Sequence, residues 1–136
     1  MYKIAELIPQ RAPIVMVDEF LGMEGDNVSH AQLTVRAENI FVDNGVMDEC
    51  GMIEHIAQSA AARVGYICRE AGKEVPLGYI GSVNDFHLLT HPKVNDTIVT
   101  RIEIIQEVFN ISLIEAHCCV NDSCIATCRM KIYLEQ

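Results

Sequence analysis

A carboxylate and a carboxamide four residues apart, Glu54 and Gln58, lie in a stretch of chain whose other residues are mostly apolar. If that stretch is helical, the four-residue step sets the two groups on one ridge, which Ala61 and Gly65 continue without bulk. A carboxylate at the edge of an apolar face is expensive to bury unpaired, so Glu54 needs a reason to be there. One is acid-base chemistry on a chain lying along the small residues, with Gln58, Ala61 and Gly65 walling an acyl channel. The other is a Glu54 that faces solvent or pairs with Arg63 or Arg69 of a neighbouring chain.

Removing water from a 3-hydroxyacyl thioester needs a base near the acidic α-carbon, an acid for the departing hydroxyl and a donor at the carbonyl oxygen. Glu54 can fill one role, and the backbone N–H groups around Gly51, at the positive end of the helix dipole, another. Every helix start offers such groups, so that signal is of low specificity. A histidine often supplies the third role, but His55 is one residue from Glu54 and points about 100° away around the helix. His30, His87, His91 and His117 fall on or beside predicted strands, where a lone imidazole is more often structural or solvated. Asn44, in Asp43-Asn44-Gly45, is a turn residue by its context, with holding a water or the thioester as its second reading.

The elements that must position these groups follow from periodicity. From about Glu49 to Ala71 the pattern is helical, with Asp48 as N-cap, Arg69 in the last turn and Gly72 just beyond. The face holding Ile53, Ile56, Ala57, Ala60, Val64, Ile67 and Ala71 is apolar, and its alanines permit close approach of a sheet, so this helix belongs in the middle of the protein. A short turn of helix is expected around Ile4 to Ile8. Strands are expected over Val15 to Met23, Val28 to Arg36, Leu77 to Thr90, Thr97 to Val108, Ile111 to Val120 and Cys124 to Leu134, with turns at Gly25-Asp26-Asn27, Asn95-Asp96 and Asn121-Asp122-Ser123. Two strands, one long helix and then several strands is an α+β order, because parallel crossovers require a helix between successive strands. The fold class predicted is a curved antiparallel sheet around one central helix, a single domain over residues 1–136.

Composition narrows the function. A formal charge of -9 and the absence of Trp argue against a phosphate-tracking or base-stacking surface, so nucleic acid is not an expected partner. No secretory leader and no run approaching the ~20 apolar residues of a membrane span is found, which predicts a cytoplasmic protein. Of six cysteines, Cys118 and Cys119 are adjacent and none forms a CxxC pair; they are read as reduced, mostly buried thiols. Cys124 and Cys128 are expected to share a strand face without further ligands, so no metal and no cofactor is predicted.

Three segments, in order, resemble the hotdog-fold β-hydroxyacyl-acyl-carrier-protein dehydratases, in particular the small, divergent ApeP-like members associated with aryl polyene biosynthesis. Leu7 through Asp18 is similar to the family's opening Leu-x-Pro-His-Arg-x-Pro-x-x-x-Val-Asp, with Gln10 in place of histidine. Ile53-Glu54-His55-Ile56-Ala57-Gln58 resembles Val-Glu-x-x-Ala-Gln on the central helix, which carries Glu54 onto the catalytic glutamate. Gly81 through Phe86 and Pro92 to Thr97 resemble a strand followed by the Pro-Val-x-x-Gly-Asp turn. Phe41-Val42 corresponds to a Phe pair, but the Gly-His-Phe-Pro segment that carries the family's catalytic histidine is missing, and Asp43 to Met52 holds no histidine.

The resemblance implies a hotdog fold and action on acyl thioesters in fatty acid or polyene biosynthesis. Glu54 and Asn44 are then catalytic candidates, and Gly51, Gln58, Ala61, Gly65 and Phe41 line the substrate. The implied partners are an acyl carrier protein or acyl-CoA thioester and a second chain, identical or a related hotdog protein, joined edge to edge. Arg11, Arg63, Arg69, Lys73 and Lys93 are candidates for the basic patch that an acidic carrier requires. Two alternatives stand beside dehydration: thioester hydrolysis, and a non-catalytic subunit pairing with an active homologue.

Overall fold

The computed structural model describes residues 2–135. After a single turn of 3-10 helix, Ile4–Glu6, the chain forms β1 (Glu19–Glu24), β2 (Val28–Thr34), β3 (Val42–Asp43), β4 (Val46–Met47), α1 (Glu49–Glu70), β5 (Gly78–Leu88), β6 (Thr97–Val108), β7 (Ile111–Val120) and β8 (Ser123–Leu134). Six strands make one sheet in the order β1-β2-β6-β7-β8-β5, every pairing antiparallel. The α+β order read from periodicity is the order found.

The helix begins where its cap dictates. Asp48 is extended, and its side chain accepts the Gly51 N–H at 2.8 Å, satisfying one of the donors that a helix start leaves open. Arg69 sits in the last turn, and Gly72, with φ of 69°, follows the end. Ile56 and Ala60 pack with Met16, Leu33, Ile98, Ile102, Ile114 and Met130 into the main core between α1 and the sheet. A second cluster, Leu7, Ile8, Phe20 and Ala62, covers another side of the same helix. The N-terminal segment, together with Phe20 of β1, therefore closes a second face of α1.

Three differences from the expected elements have physical causes. The first strand starts at Glu19 rather than Val15, because the backbone of residues 14–16 bonds to helix side chains instead of a neighbouring strand. Residues 42–47 fold as a small hairpin rather than a plain loop; Asn44 and Gly45, both left-handed at φ of 53° and 77°, form its two-residue turn. Cys124 and Cys128 do not share a face: the register shifts at Cys118/Cys119, Ile125 and Ala126 are both buried, and Cys124 is left exposed while Cys128 is buried. All six thiols are free, but only Cys118 and Cys128 are buried, with Cys50 and Cys124 open to solvent. Burial pushes the Cys118 thiol up to about 12, so it is held protonated. Among the described residues no helix is long and apolar enough to cross a membrane, and no group of three or more His, Cys, Asp or Glu is placed to hold a metal ion.

Candidate active site

A cavity of about 270 Å³ lies between α1 and strands β5 to β8. Its helix wall is Glu54, Ala57, Ala60, Ala61, Arg63 and Val64, its sheet wall includes Ile104, Ile114, Ile132 and Leu134, and Leu7, Pro9 and Gln10 add a rim from the N-terminal segment. Three alanines, Ala57, Ala60 and Ala61, line the gap from the helix side, and a methyl group does not fill the distance to the sheet.

Glu54 is the acidic residue of this wall. One carboxylate oxygen accepts Gln58 Nε2–H at 2.8 Å, and no hydrogen bond among the described residues engages the other. Gln58 is itself fully buried and fully used: the same Nε2 donates to the Ile14 carbonyl at 2.8 Å, and Oε1 accepts the Met16 N–H at 2.6 Å. Both amide protons and the carbonyl are thus committed, so Gln58 ties residues 14–16 to the helix and fixes Glu54 at one oxygen. The remaining oxygen is the one available for proton exchange.

His55 is absent from the cavity wall. It is fully buried on the sheet side, its Nδ1–H donating to the Met16 carbonyl at 2.7 Å and its Nε2 accepting the Thr100 hydroxyl at 2.7 Å. The carbonyl accepts only, which assigns the tautomer. Burial lowers its pKa to about 4, against the opposing bond to Met16, so the ring is neutral.

Of the residues expected to be catalytic or to line the substrate, the structure brings Glu54 and Ala61 to the cavity and the others elsewhere. Gln58 and Gly65 lie about 40° further round the helix, as each four-residue step dictates, and meet the N-terminal segment instead. At Gly65 a Cβ would collide with the Leu7 backbone, so the glycine serves that close approach rather than a channel. Gly51 is packed against Phe41 and Met47, and its N–H is taken by the Asp48 cap, which removes it as a free donor to a carbonyl oxygen. Phe41 packs at the helix start against the main core. Asn44 is exposed at the hairpin tip and does not line the cavity.

Two cavity residues were outside the expected site. Gln10 stands at the rim, with a buried Oε1 that finds no partner among the described residues. Arg63, expected on a basic surface, is only 6% exposed and lines the cavity, its Nε also without a partner among the described residues. The departure from histidine at Gln10 was a sequence signal, and so was a charge at Arg63 on the sheet side of the helix; what the sequence did not carry was that both line one cavity.

The comparisons agree with this architecture. Among curated proteins none matches the chain. The dehydratase heterocomplex ApeI:P from Xenorhabdus doucetiae superposes with a TM-score of 0.93 at 17% identity, over 100% of this chain and 93% of that one. A hypothetical thioesterase from Streptococcus pneumoniae, solved with coenzyme A, gives 0.67 at 10% identity over 86% and 84% of the two chains. The PaaI protein of the E. coli phenylacetic acid degradation operon gives 0.64 at 11% over 85% and 81%. At these identities the likeness is one of fold, the hotdog fold. The ApeP-like family, described as ApeP dehydratase, matches residues 2–136, and the chain belongs to that family.

Proposed function

We infer that this protein acts on acyl-carrier-bound 3-hydroxyacyl chains as one half of a dehydratase, with Glu54 as its acid-base residue. The observation that carries the reading is the carboxylate itself: held by Gln58 through one oxygen, open at the other, on the wall of an otherwise largely apolar cavity. In the reaction the carboxylate takes the α-proton, the bond from the β-carbon to its hydroxyl breaks, and the hydroxyl leaves with a proton as water, giving the enoyl thioester. Ala57 and Ala61 make room for the chain beside the helix.

A second group must protonate the leaving hydroxyl, and no histidine is among the described residues that line the cavity. A second hotdog chain supplies it in this reading. Strand β5 is a sheet edge of 11 residues, and Tyr79, Ile80 and Val83 on it are exposed apolar side chains, as is Leu89 just beyond at 72%. An edge of that length and composition is suited to pairing with another strand, and Gly78, Tyr79 and Ile80 also line the cavity, so a chain paired there lies next to the site. The Xenorhabdus relative was solved as a heterocomplex of dehydratases, which supports a related rather than an identical partner. Hydrolysis with a helix-start oxyanion hole has less support, since the Gly51 and Met52 N–H groups both bond to Asp48.

The test is to incubate the chain, alone and with a histidine-bearing ApeI-type partner, with a 3-hydroxyacyl carrier protein and weigh the acyl group intact. Loss of one water with the partner, abolished by Glu54→Gln, is the expected result. Undiminished turnover in Glu54→Gln rules out the assigned role, and release of free acid instead indicates a thioesterase.

A further inference from the structure

Four of the six cysteines stand on β7 and β8, and the hairpin sorts them into two kinds. Cys118 and Cys128 are buried, and burial above all pushes their thiols up to about 12 and about 11. The thiolate is the reactive form, so these two are inert. Burial alternates along β7, which leaves Cys119 on the outer face and partly exposed, while Cys124 of β8 is open to solvent. Cys119 and Cys124 are direct partners in the β7–β8 register. Opposed residues of antiparallel strands have Cα atoms about 4.5–5.5 Å apart, within the roughly 4.4–6.8 Å that a disulfide spans. The two thiols also act on one another: after burial, Cys124 is the main cause that raises the pKa of Cys119. One pair further along, Val120 and Ser123 close a two-residue turn of Asn121 and Asp122, both left-handed at φ of 50° and 66°, which keeps the strands opposed at this point. The Cys124 side chain is only weakly engaged, its Sγ–H donating to the Ala126 carbonyl at 3.6 Å.

We propose that Cys119 and Cys124 form a redox site, a cross-strand dithiol that a hydroperoxide oxidises to a disulfide within the folded chain. Cys124, the more exposed of the two, is the thiol that the oxidant reaches. As thiolate its sulfur attacks one peroxide oxygen, the O–O bond breaks, and the oxygen that leaves takes up a proton as water or, from an organic peroxide, as an alcohol. The sulfenic acid so formed on Cys124 is attacked by the Cys119 sulfur: the S–S bond forms, the S–O bond breaks, and the hydroxyl departs with the Cys119 proton as water. Two electrons pass from the pair of sulfurs to one peroxide. The backbone register that the bridge needs is already present in the reduced chain, so the second step is intramolecular between opposed residues. Neither cysteine lines the cavity, and the site is independent of the acyl-thioester reading.

Peptide mapping tests this on the full chain. The reduced protein is treated with hydrogen peroxide in native buffer, its remaining thiols are blocked with N-ethylmaleimide in denaturant, and the chain is cleaved on the amino side of aspartate. No lysine or arginine lies between Arg101 and Arg129, whereas Asp122 separates Cys119 from Cys124, so the two cysteines end on different fragments. The expected result is that these fragments stay joined, lighter by two hydrogens and short of two blocking groups, and come apart on reduction. In Cys119→Ser, which removes the outward partner and leaves Cys118 in place, the link is expected to be lost and the sulfenic acid on Cys124 to be trapped by dimedone. Fragments that separate with Cys119 and Cys124 both blocked, from peroxide-treated protein of the unmodified sequence, overturn the proposal without reference to any variant. A link that survives in folded Cys119→Ser also overturns it, because the bridge then runs from Cys118.

Discussion

One residue step, about 100° around α1, separates Glu54 on the cavity wall from His55 in the core. That step decides their chemistry: the carboxylate keeps a free oxygen, and the imidazole is held neutral between Met16 and Thr100. The pKa of His55 falls from 6.5 when unfolded to about 4 when buried, so between those values the unfolded chain binds the extra proton. Its contribution is therefore complete above pH 6.5 and is lost as the pH drops toward 4. Over that interval denaturant melts are expected to show a loss of about 3 kcal/mol, a slope absent in His55→Gln. Gln58 is the other residue whose neighbours cannot do without it. Gln58→Leu strands the Met16 N–H and the Ile14 carbonyl, and urea unfolding is expected to register a loss of about 3 kcal/mol, with turnover reduced as well because Glu54 loses its anchor.

At the scale of elements, the helix is held by what touches its glycines and caps. Alanine is intrinsically the better helix former by about 1 kcal/mol, yet Gly65→Ala is expected to destabilise, because its Cβ meets the Leu7 backbone and the N-terminal segment has to lift away. Faster proteolysis within residues 2–16, together with a lower urea midpoint, is the expected signature; a stabilised variant would show that the segment yields freely. The β3–β4 hairpin makes a complementary test of Asn44. Its left-handed backbone disfavours alanine by about 1 kcal/mol but suits glycine, so Asn44→Ala should lower the melting stability and Asn44→Gly should not. Turnover that falls in both variants would instead return Asn44 to the catalytic role first considered for it.

On the scale of the whole molecule, the sheet has two edges, β1 and β5, and the second carries the exposed apolar side chains beside the cavity. Val83→Lys places a charge on that edge without touching the core. It is expected to abolish assembly with a second chain in sedimentation experiments while leaving the unfolding midpoint of the single chain within about 0.5 kcal/mol. Assembly unaffected by the lysine would move the interface off β5.

How much of this was legible in sequence differed by element. The limits of α1, its Asp48 cap, and strands β6 and β7 followed from periodicity and turn residues, since one amphipathic pattern and one cap are local properties of the chain. Glu54 stood out for the same reason: a carboxylate breaking an apolar pattern is visible in one dimension. Gln58 and Gly65 stand off the cavity, because the line between cavity and N-terminal segment runs along the helix within about 40° of Glu54, and only the packing of residues 7–16 draws it. The burial of Arg63 was hidden for a related reason. It depends on the Asp26 carbonyl in the β1–β2 turn and on Glu107 of β6, and contacts between residues far apart in the chain leave no local pattern to read. By itself the sequence determined the elements and the one carboxylate that does not fit them; which side chains share a cavity with it was decided by tertiary structure, where the sheet and the N-terminal segment divide the surface of a single helix between them.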